Sequence, residues 1–92
     1  MTYNEDAIPE STLETLQAWI KTGRPMGDFC DAVVSNNLQE AFARADEHNI
    51  RAMFHTVCWM YNNAPRGSWG SPKCLKEWPK KLRSLEHAND SK

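Results

Sequence analysis

The sequence predicts an all-α protein: a small helical hairpin, with a long central helix flanked by shorter helices, that self-associates. Three observations carry that expectation. Apolar residues recur at helical spacing, whereas outside the loops there is no sustained alternation and no Asn-Gly or Asp-Gly hairpin signal. Helix punctuation falls between the apolar runs, at Gly23 with Pro25, at Asn37 with Glu40, and at Ser71 with Pro72. The third observation is size. A chain of 92 residues buries only about 60–65% of the surface its unfolded form exposes. Pairing with further copies is a natural way to cover apolar stripes that one chain leaves open.

Residues 1–92 read as a single domain, with 1–7 and 87–92 as flexible ends. The first helix is expected from Ser11, where Glu14 stands at capping-box spacing. Leu13, Leu16, Trp19 and Ile20 form its apolar stripe, and Gly23 ends it. A short helix from about Pro25 to Ser35 follows, using Phe29, Ala32 and Val33. Asn37 then caps the longest periodic segment, which runs from Leu38 to about Asn62. Its stripe is Leu38, Phe42, Ala45, Ile50, Met53, Phe54, Val57 and Tyr61, with a weak point at the polar run Asp46–Asn49. Asn63, Ala64 and Pro65 close it. Ser71 and Pro72 open the last helix, which packs through Leu75, Trp78, Leu82 and Leu85. Pro79 inside that helix predicts a kink or two short pieces.

Composition is that of an ordinary soluble chain, and no apolar run approaches the roughly 20 residues that span a bilayer. The acidic start MTYNEDAIPE does not read as a secretory signal peptide. Three cysteines (Cys30, Cys58 and Cys74) with no CxxC spacing point to reduced thiols rather than a disulfide framework. Net charge is −1, but it is unevenly placed. Residues 1–20 hold Glu5, Asp6, Glu10 and Glu14 without a Lys or Arg. Residues 66–83 hold Arg66, Lys73, Lys76, Lys80, Lys81 and Arg83 against Glu77 alone. That second region suits an anionic partner, although the same lysines also serve simply to solvate a helix face.

Catalytic and metal chemistry find little support. His55 and Cys58 stand three apart, with Cys30 as a conceivable third ligand, but zinc needs three or four converging donors in tight pairs. An apolar setting beside Val57, Trp59 and Met60 raises a thiol pKa, which disfavours a thiolate nucleophile. Two helices joined by TGRPMG superficially suggest a helix-turn-helix. The second one, however, carries Asp28 and Asp31, which repel phosphate, so a nucleic-acid ligand is not expected.

Two loops remain. Lys21-Thr22-Gly23-Arg24-Pro25-Met26-Gly27 and Arg66-Gly67-Ser68-Trp69-Gly70-Ser71-Pro72-Lys73 each run into a helix start. Each combines glycines, a cation and helix N-terminal N–H groups, the ingredients of a phosphate site. An indole beside them can stack on a base. The plainer reading is that Gly23 and Gly67 make turns and that Trp69 plugs a small core.

The pattern IP-x-x-TL, G-x-P-x-G-x-F-x-x-AV-x-x-N-x-L, RAD-x-x-N and YN-x-x-P-x-x-x-WGSP-x-x-x-x-x-W covers about residues 8–78. It resembles the anti-CBASS cyclic-nucleotide sponge family of bacteriophages, whose hairpin domain is shared by an anti-Thoeris sponge. The resemblance implies a protein that sequesters cyclic oligonucleotide messengers without cleaving them, in the cytoplasm of the infected host. It implies assembly into dimers and hexamers, no catalytic residue and no cofactor. Arg24 matches a position that contacts cyclic dinucleotide phosphate, with Lys21, Gly23, Pro25, Met26 and Gly27 around it in a pocket between protomers. Met26 stands where some members have a small polar residue such as threonine. Arg66, with Gly67, Ser68 and Trp69, matches the cation of a cyclic trinucleotide pocket. The alternatives are a module of the same fold that binds another signalling nucleotide or a protein partner, and a nucleic-acid-binding accessory protein using the basic last helix.

Overall fold

The computed structural model describes residues 2–90, with side chains through 85. A 3₁₀ turn at Glu5–Ala7 leads into six helices among these residues, and no strand occurs. They are α1 (Glu10–Thr22), α2 (Asp28–Val34), α3 (Leu38–Arg44), α4 (Glu47–Arg51), α5 (Met53–Asn63) and α6 (Pro72–Asp90). The all-α class therefore holds.

The Ser11–Glu14 capping box does not form. Pro9 takes the N-cap position of α1 without a side-chain cap, and Ser11 already lies within the helix, its carbonyl accepting the Thr15 hydroxyl at 2.8 Å. Gly23 ends α1 as expected, in the left-handed conformation (φ 72°), with its N–H donating to the Trp19 carbonyl at 2.9 Å. α2 begins at Asp28, not at Pro25, because Gly27 is extended (φ −90°, ψ −179°) and takes the N-cap position. Asn36 turns left-handed (φ 62°), and the Asn37 side chain accepts the Glu40 N–H at 3.2 Å, so α3 starts on its expected cap.

The long central helix is replaced by three short ones. Ala45 is extended, and the Asp46 carboxylate accepts the Asn49 N–H at 2.8 Å, which caps α4. A second break falls at Ala52. An aspartate that can satisfy a free N–H at a new helix start competes with continuing the old helix. The longest helix is instead α6, at 19 residues, which runs through Pro79 without an interruption in the helix.

These breaks re-aim the apolar residues. Met53, Thr56, Cys58, Trp59 and Met60 are the buried residues of α5, with Ala52 buried at its N-cap, while Phe54, Val57 and Tyr61 are exposed. Leu38 (68% exposed) and Phe42 on α3, and Ile50 on α4, are exposed as well. The expected stripe thus lies largely outside the core. α5 is apolar nearly all round, so spacing alone does not select its inner face.

The main core joins Ile8, Leu16, Trp19, Cys30, Val34, Trp59, Met60 and Trp78. Residues 3–7, expected as part of a flexible end, lie across α5. Trp59 Nε1–H donates to Glu5 Oε1 at 2.6 Å, the Asn4 N–H to His55 Nδ1 at 2.9 Å, and Asn63 Nδ2 to the Tyr3 hydroxyl at 2.9 Å. Of the other end, 87–92, the backbone is helical through Asp90 and residues 91–92 lie outside the described residues. The extents are 46 × 23 × 22 Å with a radius of gyration of 13.6 Å. A compact chain of this length gives about 12 Å. α6 accounts for the excess: it is about 28 Å long and is held to the core by Leu75, Trp78 and Leu82, while Leu85 is 60% exposed.

Candidate functional site

The loop after α1 is shaped by Gly23. A Cβ built there would come within 3.0 Å of the Pro79 Cα, so the glycine lets α6 cross closely over the end of α1. Trp78 fixes that crossing, its Nε1–H donating to the carbonyls of Trp19 (3.1 Å) and Ile20 (3.2 Å). The Trp19 carbonyl already accepts the Gly23 N–H, so the indole is its second donor, while it also serves the Ile20 carbonyl in the last turn of α1.

Arg24, Pro25, Met26 and Gly27 then line a cleft of about 320 Å³ together with Glu14, Thr15 and Ala18 of α1. Four of the six residues assigned to the first pocket are therefore brought together. Lys21 and Gly23 are not part of its lining: Lys21 is exposed on α1, and Gly23 faces Pro79. Among the described residues no carboxylate lies within 4.0 Å of Arg24. One guanidinium and one carboxylate in the same cleft suit a ligand that carries both phosphate oxygens and N–H donors. Sequence reasoning missed Glu14, Thr15 and Ala18. Their i, i+1, i+4 spacing puts them on one face of α1, whereas capping-box spacing from Ser11 draws Glu14 to a different role.

The second loop is stitched down rather than open. Trp19 Nε1–H donates to the Ser68 carbonyl at 2.8 Å, the Ser68 hydroxyl donates to the Pro65 carbonyl at 2.6 Å, and the Gly70 N–H to the Val34 carbonyl at 2.7 Å. Ser68 is 0% exposed. Trp69 packs on the core and lines a small crevice with Asn36, Asn37 and Leu38, apart from the Arg66 groove. The Ser71 hydroxyl accepts the Cys74 N–H at 3.2 Å and caps α6.

Arg66 itself opens onto a groove of about 550 Å³ whose other wall is α6, through Glu77, Trp78, Lys80, Lys81, Ser84 and Leu85. Gly67 (φ 92°) lies under Lys81. The sequence shows Lys80 and Lys81 only as part of a basic run, and Trp78 and Leu85 only as packing residues of the last helix. Their placement opposite Arg66 depends on the Trp78 anchor, a contact between residues almost sixty positions apart.

The other titratable residues are arranged differently. Among the described residues no three of His, Cys, Asp and Glu converge as metal ligands. Burial, with the Asp31 charge adding, pushes the Cys30 thiol up to about 11, which keeps it protonated at neutral pH. Burial and then the neighbouring Asp28 raise the Asp31 carboxyl above its ordinary value. The cleft between α2 and α3 holds Asp28, Asp31 and Glu40 about Arg44, which pairs with Glu40 at 2.7 Å and Asp28 at 3.5 Å. No described helix is long and apolar enough to cross a membrane. Comparisons of the chain with family models, with curated proteins and with solved structures gave no match in any of the three.

Proposed function

We propose that this protein binds and sequesters cyclic oligonucleotide second messengers without cleaving them, as the resemblance to the phage anti-CBASS sponges implies, in the cytoplasm of an infected bacterium. The observation that carries the reading is the coincidence of two concave surfaces with two arginines that lack carboxylate partners. Arg24 and Arg66 are the cations that the resemblance matches to ligand-contacting positions, and each opens onto a separate cleft. Both clefts are of the size that small-molecule ligands occupy.

A cyclic dinucleotide or trinucleotide should raise the melting temperature at micromolar concentration and be recovered intact after heat denaturation. Arg24→Ala should weaken the cyclic dinucleotide and Arg66→Ala the cyclic trinucleotide, each by about 10–100-fold for one charge-assisted contact. No shift with either ligand sinks the sponge reading, and recovery of a linear product makes the protein an enzyme.

Self-association belongs to the same proposal. Leu38 and Phe42 on α3, and Phe54, Val57 and Tyr61 on α5, give a chain of this size more exposed apolar surface than it needs alone. Leu38 and Val57 line one crevice, so the two stripes adjoin. A symmetric dimer would present each arginine twice to a ligand with two phosphates. The double variant Phe54→Glu with Tyr61→Glu should reduce the native mass to that of one 10.6 kDa chain while leaving the fold intact. A wild-type protein already monomeric would rule out the dimer and favour the second reading, in which the same face docks a protein partner.

A further inference from the structure

We infer that Lys81, assisted by Lys80, is a phosphate-contacting residue of the Arg66 groove, where its ammonium lies against Gly67. The inference rests on the cyclic-oligonucleotide reading and assigns residues of α6 to that ligand. One guanidinium on a loop is a poor match for a ligand with several phosphates. The opposite wall supplies what is missing, since Lys80 and Lys81 line the same groove as Arg66.

Lys81 does not extend into solvent away from the loop. Its Nζ lies so close to the backbone of Gly67 that a Cβ added there would come within 2.9 Å of it. Gly67, held at φ 92°, leaves open the space that the ammonium takes on the loop next to Arg66. Among the described residues none of the three cations has a carboxylate within 4.0 Å, and Glu77, in the same groove, pairs instead with Lys73 at 3.9 Å. Three cations against one carboxylate leave the groove positive, and like charges gathered without counterions favour a bound anion. Trp78 and the exposed Leu85 add an apolar wall. The ligand class is therefore one with two or more phosphate groups and an apolar ring.

Lys81 makes no ion pair or hydrogen bond among the described residues, so its removal takes nothing from the fold. Calorimetric titration of the full chain with a cyclic triadenylate, a cyclic dinucleotide and inorganic tripolyphosphate tests the assignment. Lys81→Ala should weaken the cyclic triadenylate by about tenfold, leave the cyclic dinucleotide and the ligand-free melting temperature unchanged, and be largely restored by Lys81→Arg. Lys76→Ala, exposed on α6 outside the groove, should change nothing. If Arg66→Ala loses the cyclic triadenylate and Lys81→Ala does not, Lys81 is no contact and the sponge reading stands. If wild type binds neither cyclic nucleotide, the sponge reading falls. Tripolyphosphate binding that depends on Lys81 would then still uphold the anionic groove, and its absence from wild type would overturn it.

Discussion

Trp19→Ala should leave the protein largely unfolded at 37 °C. Trp19 is 3% exposed and packs among Leu16, Val34, Trp59, Met60 and Trp78. Truncating a buried tryptophan to alanine costs about 3–5 kcal/mol. The Ser68 carbonyl also loses the indole N–H it accepts at 2.8 Å, which adds about 1–3 kcal/mol for a buried acceptor left alone. A small domain has roughly 5 kcal/mol or little more to lose. Trp19→Phe separates the two contributions, because it keeps most of the ring and loses only the donor. Its melting temperature should fall by about 10 °C. The Ser68 carbonyl is also what ties the loop carrying Arg66 to α1, so Trp19→Phe should loosen ligands of the Arg66 groove more than those of the Arg24 cleft. Circular-dichroism melts and ligand titrations read both. A Trp19→Ala protein that melts with wild type would show that α1 is not the centre of the core.

The parts of this fold that are legible in the sequence are those decided within four or five residues. Gly23 ends α1, Asn37 starts α3 and Ser71 starts α6, because one side chain or one positive φ settles each boundary. Asp46 is equally local. The polar run around it marks a weak point, but whether the chain bends or breaks there depends on what the next helix packs against. The inner face of α5 is not legible at all, since Phe54, Val57 and Tyr61 are as well spaced as Ala52, Thr56 and Trp59.

The site divides along the same line. Arg24 and its neighbours form a continuous stretch and are found by reading it. Glu14, Thr15 and Ala18 join them only because α1 folds back beside the loop. Ser68 stands in a stretch of small polar residues, yet it is fully buried and its carbonyl accepts the Trp19 indole N–H. Lys80 and Lys81 face the Arg66 groove because α6 packs on the core through Leu75, Trp78 and Leu82.

Gly23→Ala and Gly27→Ala should part sharply, although both glycines flank Arg24 in one loop. At Gly23 a side chain meets two obstacles. The left-handed φ of 72° costs a non-glycine residue about 1–2 kcal/mol. The new methyl lands 3.0 Å from the Pro79 Cα, a backbone atom that moves only with α6, and overpacking of that kind costs about 1–3 kcal/mol. The melting temperature should drop by about 10–20 °C. Relief of the clash shifts α6 away from α1, which disturbs the Trp78 hydrogen bonds and with them the wall of the Arg66 groove. Gly23→Ala should therefore impair both clefts. Gly27 has φ −90°, which any residue adopts, and nothing within 4 Å of an added Cβ. Its alanine variant should melt within about 2 °C of wild type, yet Gly27 lines the Arg24 cleft. The variant should weaken a cyclic dinucleotide alone, by narrowing the approach to the backbone. Equal destabilisation by the two variants would mean that the α1–α6 crossing is loose. A Gly27→Ala protein that binds the dinucleotide as wild type does would place that ligand away from this loop.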